Sequence, residues 1–379
     1  MLVAVLFSAC GAPGGGGGGG GFTLPGEAIT GATGSVKVAL LLPISAPGST
    51  ASVAKSLKQA AELALFDFDN PNVSLVPKDT KGTPDGARDA AESAVQEGAE
   101  LIIGPLFAQE VRGAAPVARR AGVPMIAFSS DESVAGNGVY LLSFLAGRDV
   151  PRIVSFAMSR GKRNFAVLVP QTAYGRIAEA AFAKAVTSGG GSAPVRATFS
   201  SSNMDGAVQQ IAGAVKSGQR IDALFLPAGQ EELPSLAPLL ASAGVTNATV
   251  QFIGTGQWDY SNVGNAQALI GGWYPAPDPQ GWSKFAQKYA QTFGGTPPRI
   301  ASLGYDGVSL AVALSQNPPG QRYSYSQLTR ASGFAGVDGL FRLLPDGTSE
   351  RGLAILEVRR GAPSVISPAP RSFNTASSY

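Results

Sequence analysis

The 379-residue chain has no histidine and a single cysteine. Without histidine there is no Ser–His–Asp triad, no Cys–His nucleophile and no His-ligated zinc. One thiol excludes an internal disulfide and a thiolate metal cage. An excess of charge is also lacking. Twenty-nine basic residues face 26 acidic ones, net +3, which is no footprint for nucleic acid. No P-loop and no dinucleotide-binding glycine motif is present, so no cofactor or metal is expected. What remains is 44% apolar and 15% charged, enough core for a soluble globular chain. Glycine (49) and proline (27) make up about a fifth of the residues, which implies many turns and some low-complexity sequence.

The N-terminus is apolar from Met1 to Ala9 and ends at Cys10. That run is too short for a bilayer span, which takes about 20 residues. Ser8 and Ala9 before Cys10, then Gly11, resemble a bacterial lipobox. The resemblance implies that residues 1–10 are a lipoprotein signal segment and that Cys10 becomes lipidated. Phe7 departs from the usual aliphatic residue, and no Lys or Arg precedes the run. Gly14–Gly21 is an unbroken glycine run, so residues 11–35 read as a flexible tether. Anchor, tether and body together place the body outside the cytoplasm, in the periplasm at a membrane surface.

From Val36 onward, short apolar runs alternate with helical patterns. VKVALLLPIS (36–45) is continuously apolar, as in a strand buried on both faces. Val53, Leu57, Ala60, Ala61, Ala64, Leu65 and Phe68 then form one helical stripe. Further strands are expected at 73–78, 100–105, 124–130, 165–170, 195–200, 223–229, 250–256 and 353–358. Helices are expected at 84–97, 107–121, 174–187, 205–217 and 299–315. The alternation predicts an α/β fold with parallel sheets, and the number of units predicts two lobes. Ligands of such sheets bind beyond the carboxyl ends of the strands.

The string ELIIGPLFAQEVRGAAPVARRAGVPMIAFSS (100–130) resembles the type I periplasmic binding proteins of the leucine/isoleucine/valine-binding kind. LLLPIS, the AYG of 173–175, the FIGTGQW of 252–258, the GYDGVSLAVAL of 304–314 and the GFAGVDGLFRLLPDG of 333–347 follow in the family's order. The resemblance covers residues 36–360. It implies two Rossmann-like, doubly wound lobes joined by a three-crossing hinge that closes on a ligand. Residues 36–145 plus about 276–330 are expected in the first lobe. Residues 146–275 plus about 331–360 are expected in the second, and 361–379 form a tail.

The expected site lies at strand ends. After Gly104–Pro105 a helix offers free N–H groups to an anion. Relatives place serines there to hold a ligand carboxylate, whereas Leu106, Phe107 and Ala108 stand here. Ser129, Ser130 and Asp131 match a segment that contacts the ligand in relatives; a solvated loop or helix cap is the plainer reading of Asp131 and Glu132. Tyr174 matches a tyrosine at the cleft edge, able to stack and to donate a hydrogen bond. Gln257 and Asp259 follow another strand, and Asp259 is the local candidate for holding an ammonium group. Tyr305 and Asp306 read as structural, at the first turn of an apolar helix.

Catalytic patterns are weak. Ser52-Val53-Ala54-Lys55 fits S-x-x-K, and Ser130–Asp131 begins an S-D-N, but Glu132 replaces the Asn and Lys81-Gly82-Thr83 has the wrong order for K-T-G. Glu231–Glu232 reads as a helix start, not as a glycosidase pair. The chain is therefore expected to be no enzyme. The resemblance implies capture of an amino acid or similar small polar solute for an ABC permease. A second function stays open: outer-membrane lipoproteins that activate a penicillin-binding protein carry a similar domain, and a peptidoglycan synthase would then be the partner.

Overall fold

The computed structural model describes residues 35–69 and 71–373. Cys10, the apolar segment before it and the glycine tether lie outside the described residues.

Seven apolar-rich residues start the body. β1 (Val36–Leu42) alternates its side chains between two cores, as the two-residue period requires. Val38, Leu40 and Leu42 enter one cluster with Leu57 and Ala61, while Ala39 and Leu41 enter another with Ala87 and Ala114. Helix α1 (Ser49–Phe66) supplies the first cover, and α2 (Pro84–Gln96) follows β2 (Val73–Asp79) on the opposite face. Thr83 caps α2 by accepting the Gly86 N–H at 3.0 Å, with Pro84 at the first helical position. β3 (Leu101–Ile103), α3 (Ala108–Ala121), β4 (Met125–Ala127) and β5 (Val139–Leu141) complete a parallel sheet of order β2-β1-β3-β4-β5. Gly104 ends β3 at φ +87°, where a Cβ would lie 2.1 Å from the Leu41 carbonyl oxygen; only glycine fits.

The chain then crosses to a second sheet. Its elements are α4 (Val150–Ser159), β6 (Asn164–Pro170), α5 (Ala173–Ser188), β7 (Ser192–Phe199), α6 (Met204–Lys216), β8 (Ala223–Leu226), α7 (Leu233–Ser242), β9 (Gln251–Gly254) and β10 (Trp273–Ala276). Alternation again serves two cores. Leu224 and Leu226 pack on the α6/α7 side, and Ala223 and Phe225 on the α4/α5 side. Both sheets are thus covered on both faces, the doubly wound arrangement the sequence predicts.

A second crossing leads to α8 (Pro279–Phe293) and α9 (Ala301–Ser315), which pack against α1. After α10 (Tyr325–Leu328), β11 (Phe334–Gly336), β12 (Gly339–Leu343) and β13 (Ser349–Arg351) form a small antiparallel sheet. β14 (Ala354–Glu357) and β15 (Ser364–Ser367) then join the second large sheet, giving the order β15-β14-β10-β9-β8-β6-β7. The third crossing therefore falls at 352–353, not near 331. Phe334, Phe341 and Leu343 are buried in the first lobe's core with Leu303 and Val308, and this apolar burial holds 334–343 there. The residues set apart as a tail contribute β15. Asp306 also differs from expectation. α9 begins at Ala301, so Asp306 sits in its second turn and is fully buried.

Candidate functional site

The loops at the carboxyl ends of both sheets carry most of the expected site residues. In the first lobe, the α3 N-terminus is not open to an anion. Glu110, the third residue of α3, is fully buried and accepts the Phe107 N–H at 2.8 Å through Oε2. Its other oxygen accepts the Thr80 hydroxyl. Burial raises the Glu110 pKa, while the Thr80, Phe107 and Leu106 hydrogen bonds oppose the rise. The chain's own carboxylate thus occupies the place where a ligand carboxylate was expected. A glutamate at the third helical position is a recognised capping signal, visible in the sequence.

Ser129 is buried, and its Oγ accepts the Asp131 N–H at 3.2 Å. Ser130 is exposed. Asp131 caps a 3₁₀ turn, accepting the Ser133 N–H at 3.0 Å, and pairs with Arg112 of α3 at 2.9 Å. Hydrogen bonds from Ser133 and Arg112 hold its pKa below the ordinary value. The helix-cap reading of Asp131 is the one its geometry supports. Glu132 pairs with Arg148 at 2.7 Å and ties the first crossing to the first lobe.

The second lobe gathers Tyr174, Thr255, Gly256, Gln257 and Asp149. Thr172 caps α5 through the Gly175 N–H at 3.0 Å, which sets Tyr174 in the first turn. The Tyr174 hydroxyl donates to Thr255 Oγ1 at 2.7 Å. Thr255 is fully buried and also accepts the Gln257 N–H at 3.3 Å. Asp149 precedes α4 and accepts the Gly256 N–H at 2.5 Å. Its Oδ1 has no hydrogen-bond partner among the described residues. Burial raises the Asp149 pKa; burial and the nearby Asp149 charge both raise that of Tyr174. The Gln257 side chain is exposed and lies over Gly229, where a Cβ would meet its Oε1 at 2.9 Å. Below it, Trp258 is fully buried and donates from Nε1 to the Leu226 carbonyl at 3.1 Å.

Asp259 reaches toward the first lobe, 3.8 Å from Arg299 in the loop before α9. Arg299 itself pairs with the buried Asp338 at 2.7 Å and stacks over Trp282 at 4.6 Å. Desolvation raises the Asp259 pKa; Arg299 lowers it and Asp338 raises it further. Tyr174 and Gln257 are therefore brought together, Asp259 stands at the facing lobe's edge, and Asp131 is turned to Arg112. Sequence reasoning missed Asp149, Thr255, Glu110 and Arg299. Thr255 was visible as the residue after a buried strand, and Asp149 as an acidic residue just before Val150–Pro151.

A family model described as a periplasmic binding protein matches residues 35–363. The chain belongs to this family. It is a non-enzymatic ligand-binding family, in agreement with the expectation of no enzyme. No curated protein matches this binding protein in sequence. Among solved structures, it is similar to a branched-chain amino acid ABC transporter protein described as putative, from Rhodospirillum rubrum. The TM-score is 0.77 at 20% identity, over 88% of this chain and 100% of that one. A leucine-binding protein of Thermotoga maritima MSB8 gives 0.56 at 20% identity, over 88% and 98%. A solute-binding protein from Rhodopseudomonas palustris BisB5, in complex with 3,4-dihydroxybenzoic acid, gives 0.58 at 22% identity, over 88% and 96%. These likenesses establish the two-lobed fold.

Proposed function

We propose that this protein is an extracytoplasmic solute-binding protein, held at a bacterial membrane by lipidated Cys10. It captures an amino acid or similar small polar solute between its lobes and delivers it to an ABC importer. The observation that carries this reading is the strand-end constellation of the second lobe. Thr255 accepts hydrogen bonds from both the Tyr174 hydroxyl and the Gln257 N–H, and Asp149 accepts the neighbouring Gly256 N–H, with its other oxygen buried and unpartnered among the described residues. An aromatic face with a few convergent polar groups suits capture of a small solute. Among the similar proteins, one is a leucine-binding protein and another holds 3,4-dihydroxybenzoic acid, both small solutes. Calorimetry of the purified protein against amino acids and aromatic acids tests it. Saturable binding that Tyr174→Phe and Asp259→Asn weaken supports the reading; no heat from any member of the set removes it.

A second reading has its own observation. Glu110 fills the α3 N-terminus and Arg112 takes Asp131, so two expected ligand contacts in the first lobe are satisfied internally. A fold kept for protein contact, with a peptidoglycan synthase as partner, would tolerate that. Under this reading the purified body raises the glycan polymerisation rate of the synthase; an unchanged rate excludes it.

A further inference from the structure

The second lobe carries a groove of about 780 Å³ along the outer side of α7, closed on its far side by the segment 260–270. Ala237 of α7 and Ile270 give it an apolar wall. Gln230, Tyr260, Asn262 and Asn265 are among its polar lining residues, and no charged side chain lines it among the described residues. The side-chain amides of Gln230, Asn262 and Asn265 and the Tyr260 hydroxyl have no hydrogen bond to another described residue, whereas those of Asn247 and Gln267 are taken. Four uncharged groups that both donate and accept are thus free on an apolar surface.

The chemistry narrows the ligand. An ion would leave water for this groove without finding a counter-charge, at a cost of several kcal/mol. A peptide bound by strand addition needs an unpaired strand edge, and the lining residues belong to a helix and to turns, not to a strand. A sugar offers vicinal hydroxyls to amides and C–H faces to a tyrosine ring and to alanine. The volume lies within the range of ligand pockets. We propose that this groove is a second binding site, separate from the strand-end site, and that it takes a neutral oligosaccharide.

The test is titration of the purified full chain with chitotriose and with maltotriose, followed by ligand-observed NMR, with trialanine as control. The comparison variant is Asn262→Ala/Asn265→Ala. Both amides are exposed, so the fold is expected to survive with its melting temperature unchanged. Binding of either trisaccharide, weakened about tenfold or more in this variant and unchanged in Tyr174→Phe, supports the site. Three results overturn it: neither sugar binds; sugar binding survives the double substitution; or trialanine competes equally. Loss of sugar binding in Tyr174→Phe also overturns it, because the sugar would then sit at the strand ends. Failure here leaves the solute reading intact, since that rests on other residues and other ligands.

Discussion

Asp306 offers a quantitative test of how the lobes are held. It sits in α9 of the first lobe, fully buried, and its Oδ1 accepts the Val337 N–H at 2.7 Å. Its charged partner is Arg351, 3.7 Å away at the end of β13, just before the third crossing. The Arg351 guanidinium is buried between Phe144 of the first crossing and Phe341, 4.7 and 5.6 Å from their ring centres. Burial pushes the Asp306 carboxyl up to about 7; Arg351 opposes the rise and Asp338 adds to it. The folded protein therefore binds this proton more tightly than the unfolded chain does. The resulting stability is complete below about pH 4 and is lost as pH rises through 7. Between pH 5 and pH 8 the loss from Asp306 alone is on the order of 2–3 kcal/mol. Asp306→Asn keeps an acceptor for Val337 but cannot ionise. Urea unfolding at pH 5, 6, 7 and 8 should show a shallower loss in the variant, by that amount. Glu110, Asp149 and Asp259 also carry raised pKa values, so only the difference between the two proteins is diagnostic. An equal loss of stability in both refutes the assignment.

Glu110→Ala strands the Thr80 hydroxyl and the Phe107 N–H in the interior and should cost about 2–4 kcal/mol in denaturant unfolding. Arg112→Ala breaks a pair whose side chains are 58% and 43% exposed and should cost less than about 1 kcal/mol in the same assay. Gly254→Ala would place a Cβ 2.2 Å from the buried Trp258 ring; it should destabilise by about 1–3 kcal/mol and shift the tryptophan fluorescence.

The α/β layers were legible because their signal is local. Continuous apolar runs such as that at 36–45 marked strands, and the apolar stripe from Val53 to Phe68 marked α1. β5 and β10 have three and four residues, and α4 and α8, the helices after them, were not among the expected ones either, so no strand–helix alternation marked them. The late third crossing was not legible either. Whether Phe334 and Phe341 are buried with Leu303 or with the second lobe depends on contacts between distant segments, which no local pattern records. The strand-end positions of Tyr174 and Gln257 were legible because each follows a strand. The pairing of Asp131 with Arg112 was not legible, because Arg112 lies on the preceding helix, 19 residues away. Asp149 was missed because its partner, Gly256, is 107 residues distant.

The central claim is that the strand-end residues bind a small solute. Isothermal titration of the wild-type protein and of Tyr174→Phe with the best-binding solute is the most direct test. Removing the hydroxyl that fixes the ring through Thr255 is expected to weaken binding about fivefold to tenfold, with stability changed by only about 1 kcal/mol. Identical affinity in the two proteins, or no solute that binds the wild type, would contradict the account.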